Sequence, residues 1–268
     1  MKKFIILIAL VVCTACAVSP TGRKQLMLVS PQQAIVASKS AYVETLAPFQ
    51  KSGKLDADPQ VTARVRQITG RIIAQTIRLY PETRSWQWDI KVIDDPETVN
   101  AWCMAGGKMA IYTGLIQKVK PTDDELAQVI GHEISHAVAN HTAERMSVAL
   151  ASQLGLGTVA LATSGSEGSS ATMAGAALAA NLAIQLPNSR TAEEEADRIG
   201  IELAARAGYN PYAASTLWQK MAAVGGSNRP EFLSTHPNPQ NRMATLRNLA
   251  PKMMPYYEQQ GPRPVYSF

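Results

Sequence analysis

The eleven residues GHEISHAVANH, 131–141, constrain this chain more than any other stretch, because they gather three of its four histidines. His132 and His136 are four apart, so on a helix their imidazoles leave from one face and can share a single cation. Glu133 stands next to the first of them, toward the open side of such a cation, where it could take a proton from water. Zinc suits two neutral imidazoles with an open position, and one zinc per chain is expected. The plain alternative is a helix with two polar histidines facing solvent. A catalytic zinc needs a third protein donor, which must be the fourth histidine, His236, or a downstream acid. The segment SRTAEEEAD, 189–197, offers several acids.

A helix of that kind must sit in a body large enough to bury it. With 268 residues and 46% apolar content, the chain can form one large domain. Capping signals divide it. Ser30-Pro31 opens a helix to about residue 50, and Asp58-Pro59 opens another with the stripe Val61, Val65, Ile68, Ile72, Ile73 and Ile77. Residues 86–94, WQWDIKVID, alternate and read as a strand, and two shorter strands flank Gly106 and Gly107. Thr122 to Glu125 form a capping box that starts the helix carrying residues 131–141. Ser189 caps a helix ended by Gly208, Pro211 opens another to about residue 224, and the tail from Pro239 adds a last amphipathic one. The Gly-, Ala- and Ser-rich residues 154–181 read as a loose helical hairpin or covering loop.

At the other end, MKKFIILIALVVCTAC places two lysines before an apolar run from Phe4 to Cys13, too short to span a bilayer. Residues 1–15 therefore read as a secretory signal. Thr14 and Ala15 before Cys16 resemble a lipobox, so Cys16 is the expected lipidation site and residues 16–30 a tether. Ala17 after that cysteine favours the outer membrane, facing the periplasm, over the inner membrane. Acyl chains there would anchor the protein durably. Without Lys2 and Lys3 the chain carries 24 basic against 21 acidic side chains, and no basic cluster interleaved with aromatics points to nucleic acid. Cys103 would be the single cysteine beside the lipidated one, so no internal disulfide framework is expected, and a buried apolar role suits it better than metal ligation.

GHEISHAVANH followed by SRTAEEEADRIG resembles the membrane-associated zinc peptidases that include the CAAX prenyl endopeptidase, the heat-shock membrane protease HtpX and the β-barrel assembly-enhancing protease. The resemblance implies a zincin-like metallopeptidase of the gluzincin type. The fold would be α+β and predominantly helical, with a small sheet beside the HExxH helix and a single domain over 31–268. It also implies that the third ligand is the Glu of an E-x-x-x-D motif, which is Glu193 here. Independently, Glu193 and Asp197 are i and i+4, so one can ligate while the other buttresses a ligand histidine. Glu194 and Glu195 are rotated away by about 100° and 200° and read as solvated charge or neighbours of the site, with Glu195 the alternative ligand.

NAWCMAGGKMAIYTGL, 100–115, looks like the family segment whose edge strand binds substrate backbone by strand addition, which points to Ala105, Gly106 and Gly107. STHPNPQNR, 234–242, resembles a late family motif. In it His236 would stabilise the oxyanion, or in a closed state occupy the open position on zinc, or simply precede a turn at Pro237. Arg242 would anchor that loop or add positive potential. His141, five residues after His136, is expected to have turned away from the metal face, either to back the site from behind or to lie at the surface. The function expected is a membrane-tethered zinc endopeptidase acting on unfolded or misassembled envelope polypeptides, with Glu133 as base. The rivals are a non-proteolytic chaperone or assembly factor that keeps zinc for structure, and a tethered binding module with an incidental motif.

Overall fold

The computed structural model describes residues 16–157, 188–224, 230–237 and 239–268. The expected leader at 1–15 and residues 158–181 of the expected covering segment lie outside the described residues.

The helices begin where side chains can satisfy free amides. In α1 (Pro31–Lys51) the Ser30 hydroxyl accepts from Gln33 N while Gln33 returns a bond to Ser30 N. In α2 (Pro59–Leu79) Asp58 accepts from Gln60 N and Val61 N. Such caps contribute roughly 1 kcal/mol each. Between α2 and the central helix lies a three-stranded sheet: β3 (Asp89–Ile93), β4 (Ala101–Met104) and β5 (Lys108–Tyr112), in the order β3-β5-β4. β3 runs parallel to β5 with Asp89 opposite Lys108, and β4 runs antiparallel to it with Ala101 opposite Ile111. The strand expected from residue 86 is shorter at its start. Trp88 turns its indole N–H to Thr83 O (3.1 Å), and its ring packs where a Cβ on Gly107 would sit.

The period of two along the strands sorts side chains onto two cores. Ala101, Cys103, Met109 and Ile111 join a large core with α2, whereas Trp102, Met104 and Ala110 join a smaller one with Ala34, Ala41 and Tyr42 of α1. The sheet is therefore covered on both faces.

α3 (Asp123–Val138) is the central helix, and every residue from Glu125 to Val138 is buried. It crosses α5 (Arg190–Arg206) at two glycines. A Cβ on Gly131 would lie 2.8 Å from Gly200 O, and one on Gly200 would lie 2.8 Å from His132 N. Only bare backbones allow that approach. α6 (Ala213–Val224), the short α7 (Glu231–Thr235) and α8 (Pro239–Tyr257) complete the body around this crossing.

Two departures from expectation matter for the site. The helix carrying the histidines does not continue through residue 141: Asn140 adopts a left-handed conformation (φ 57°), and α4 (His141–Gly157) starts afresh. The segment 16–30, expected as a tether, contains a hairpin, β1 (Cys16–Val18) and β2 (Lys24–Leu26), which docks on the body through Gln25 and Arg23. No helix among the described residues is long and apolar enough to cross a membrane.

Candidate metal centre

A fully buried helix must find partners for its polar side chains. On α3, Gln128 donates to Asn210 O (3.2 Å), Ser135 to Gly131 O (2.6 Å), and Glu125 accepts from Lys220 Nζ (2.6 Å) and Thr216 Oγ1 (2.8 Å). Among the described residues, Glu133 Oε1 is the α3 side-chain atom left buried with no hydrogen bond. It lies 3.3 Å from His236 Nε2. Burial raises the Glu133 carboxyl above its ordinary value, against the pull of His236 and His132. An orphaned carboxylate oxygen costs free energy that a structural helix has no reason to carry.

Beside it, His132, His136, Glu193 and His236 bring one donor atom each within 4.8 Å of one another, all buried. His132 Nε2 is 3.0 Å from His136 Nε2 and 3.2 Å from His236 Nδ1. Glu193 lies 3.4 Å from each of the two helix histidines and 3.0 Å from His236 Nδ1. Bonds of 2.0–2.1 Å to a tetrahedral ion separate ligand atoms by about 3.3 Å, which these distances match. With partners for the ring protons of His132 and His136 on their outer nitrogens, the inner nitrogens face the Glu193 carboxylate as acceptors, so the donor set fits a cation, with Arg242 at its edge 2.6 Å from Glu193.

The fold explains how the four converge. His132 and His136 share a face of α3, Glu193 opens the first turn of α5 at the glycine crossing, and His236 follows α7. Asp197, one turn after Glu193, accepts from His132 Nδ1 (3.1 Å). Arg242 on α8 donates its Nε to Asp197 (2.8 Å), sets Nη1 2.6 Å from Glu193, and stacks 3.9 Å over the Trp218 ring. Burial alone would raise the Glu193 carboxyl, but His236 and Arg242 hold it well below the usual range. Burial likewise drives the His136 imidazole well below its ordinary value, which keeps it neutral and able to bind metal.

The fold thus brings together His132, Glu133, His136, Glu193 and His236, with Asp197 and Arg242 behind them, but not the expected turn residues 105–107. The cleft beside Glu133 and His136 is lined by Asn100 to Cys103, the edge strand β4 itself. Ala105, Gly106 and Gly107 form the turn beyond that strand, with Gly106 against Ile35 and Gly107 against Trp88. Cys103 is free and buried, its thiol pushed up by burial. Glu195 is buried, neither solvated nor in the donor set, and it accepts from His141. Of the two places expected for His141 it takes the one behind the site: the new start at Asn140 turns its Nδ1 to within 2.7 Å of His136 Nδ1, the nitrogen that faces away from the donor cluster. Arg145, which no local signal marks, is half-buried and lines the cleft, its pKa lowered by burial to about 10, and it bonds to Asn188.

Paired imidazoles and a carboxylate on two crossed helices, with a free acid at their open side, define the class of helical zinc metallopeptidases. The chain belongs to one family of that class, Peptidase family M48, which residues 59–250 match. The metal of such a site is zinc. The chain is 33% identical over 264 residues to "Metalloendopeptidase OMA1, mitochondrial" of Bos taurus, covering 95% of this chain and 50% of that protein. It is 37% identical over 182 residues to "Mitochondrial metalloendopeptidase OMA1" of Arabidopsis thaliana, 66% of this chain and 35% of that one. It is 30% identical over 211 residues to the "Beta-barrel assembly-enhancing protease" of Escherichia coli (strain K12), 76% of this chain and 42% of that one. The chain spans about half the length, or less, of these curated relatives.

Proposed function

We propose that the protein is a zinc metalloendopeptidase that cuts polypeptides presented as an added strand. The observation that carries this reading is the orphaned Glu133 Oε1 beside the His132, His136, Glu193 cluster. Bound zinc supplies Lewis-acid polarisation of a scissile carbonyl. Glu133 Oε1 accepts a proton from the attacking water and returns it to the leaving amine, and its raised proton affinity suits both transfers. β4 pairs with β5 alone among the described strands, so its other edge can hold substrate backbone along the cleft. Asp197, itself held by Arg242, accepts from His132 Nδ1, which keeps the ring proton there and turns the bare Nε2 toward the donor cluster, with Arg242 Nη2 3.2 Å from it.

His236 supports a second element of the reading. Its Nδ1 stands among the donors, which favours a resting state in which His236 fills the fourth position and substrate displaces it. Its other role, stabilising the oxyanion, would follow once it has moved. Substrates are read as unfolded or misassembled envelope proteins, and the site of action as the periplasmic face of the outer membrane, anchored through Cys16. Support for that placement is the lipobox-like end of the leader.

Purified full chain with one equivalent of zinc should cleave an unfolded protein, and a chelator should stop it. His236→Ala should raise the rate if the histidine shuts the site and lower it if it serves only the oxyanion. Zinc retained with no cleavage by either form would favour the non-proteolytic chaperone.

A further inference from the structure

We propose that the N-terminal hairpin β1–β2 is an outer part of the zinc site, orienting ligand His136 through His141 and Glu195, so that hairpin docking and zinc binding favour each other. This rests on the metal reading of the site. His136 turns Nε2 into the donor cluster. A neutral imidazole binding through Nε2 keeps its proton on Nδ1. That N–H donates to His141 Nδ1 at 2.7 Å. His141, accepting there, must carry its own proton on Nε2, which donates to Glu195 Oε2 at 3.1 Å. The relay thus has one direction, from metal ligand to carboxylate.

The carboxylate at its end is held by the hairpin. Thr21 Oγ1 donates to Glu195 Oε1 (2.6 Å) and Arg23 Nε to Oε2 (2.9 Å). The other two nitrogens of Arg23 donate to Glu144 at 2.7 and 2.6 Å. Gln25 donates to Glu144 (2.9 Å) and to Ala139 O (2.8 Å), the carbonyl on which α3 ends. The hairpin therefore grips both the end of the ligand helix and the backing of its last histidine. Glu195 and His141 are buried, so neither can substitute water for a lost partner without cost. Coupling of this kind is reciprocal: the factor by which docking tightens zinc is the factor by which zinc tightens docking.

The test uses the full chain, and zinc content of the wild type is measured first. A wild type that binds no zinc overturns the metallopeptidase reading, whatever the relay does. Given a zinc-loaded wild type, the rate of zinc loss to excess chelator should rise about tenfold or more in His141→Leu, within the range for residues backing a metal ligand. His141→Gln should lose zinc more slowly than His141→Leu, because its amide can accept from His136 and donate to Glu195. Arg23→Met should raise the rate by less than His141→Leu does. His141→Leu releasing zinc at the wild-type rate overturns the relay while leaving the zinc site intact. Two measurements on the wild type alone cover a variant that fails to fold. Ring ¹⁵N spectra of the zinc form should show His136 protonated at Nδ1 and His141 bare at Nδ1; the reverse pattern overturns the assignment. Amide exchange over residues 16–26 should quicken when zinc is removed, and unchanged exchange overturns the linkage.

Discussion

The two histidines of α3 are one turn apart and both turn Nε2 into the donor cluster, yet they are backed differently. His132 turns its outer nitrogen directly to a carboxylate, Asp197, which Arg242 holds from α8. His136 turns its outer nitrogen to another imidazole, with the carboxylate Glu195 one step further out and Arg23 of the hairpin beyond it. A direct carboxylate makes a ligand imidazole more basic than a neutral partner does. The contrast teaches that one arm fixes strength and the other attaches a peripheral element to the metal. It also shows residues from both ends of the described chain, 23 and 242, closing on one site.

Breaking the direct arm should have the largest effect. Arg242→Met leaves the buried carboxylates of Glu193 and Asp197 without their cation, which should cost about 3–5 kcal/mol in denaturant-measured stability and weaken zinc up to about 100-fold. That loss should exceed the one caused by Arg23→Met in the relay arm. Equal losses would abolish the asymmetry between the two histidines.

Gly200→Ala should strike both arms together. Its Cβ would meet His132 N at 2.8 Å, forcing apart the helices that carry the histidines and the acids. A destabilisation of about 1–3 kcal/mol is expected, with zinc binding weakened in parallel; a stability loss with unchanged affinity would show that the crossing does not set the ligand geometry.

Glu125→Gln should be the smallest change and touches neither arm. The Glu125 carboxyl would be raised by burial, but Lys220 and the Thr122 amide lower it below its ordinary value. A depressed carboxylate stabilises the fold above its unfolded pKa, and that contribution fades as pH falls through the acid range. The variant should lose about 1 kcal/mol at neutral pH and show a flatter decline in acid, with zinc affinity unchanged at neutral pH.

Legibility in the sequence followed the range of the interactions. The caps at Ser30, Asp58, Thr122 and Ser189 were readable because each joins residues two or three apart. The pairs His132 with His136 and Glu193 with Asp197 were readable because a helix repeats in four. Glu193 was singled out among its neighbours by resemblance. Helical rotation alone left His141 either behind the site or at the surface, and the choice between them is made at Asn140, where the backbone turns left-handed. An asparagine four residues after a ligand histidine was the one available signal, since Asn tolerates that conformation better than most residues. Rotation along the helix left Glu195 as solvated charge, a neighbour of the site or an alternative ligand; it is the neighbour, because away from the metal here means into a second buried network. Nothing local in Thr21, Arg23 or Gln25 announces partners more than a hundred residues away.

The most direct test of the central claim is Glu133→Gln in the full chain, with zinc content and cleavage of an unfolded protein measured on the same preparation. The amide preserves the shape at the cleft but cannot accept the proton from water, so one zinc per chain should remain while cleavage falls by about 10²–10⁴-fold. Cleavage at the wild-type rate by the zinc-loaded variant would contradict the mechanism.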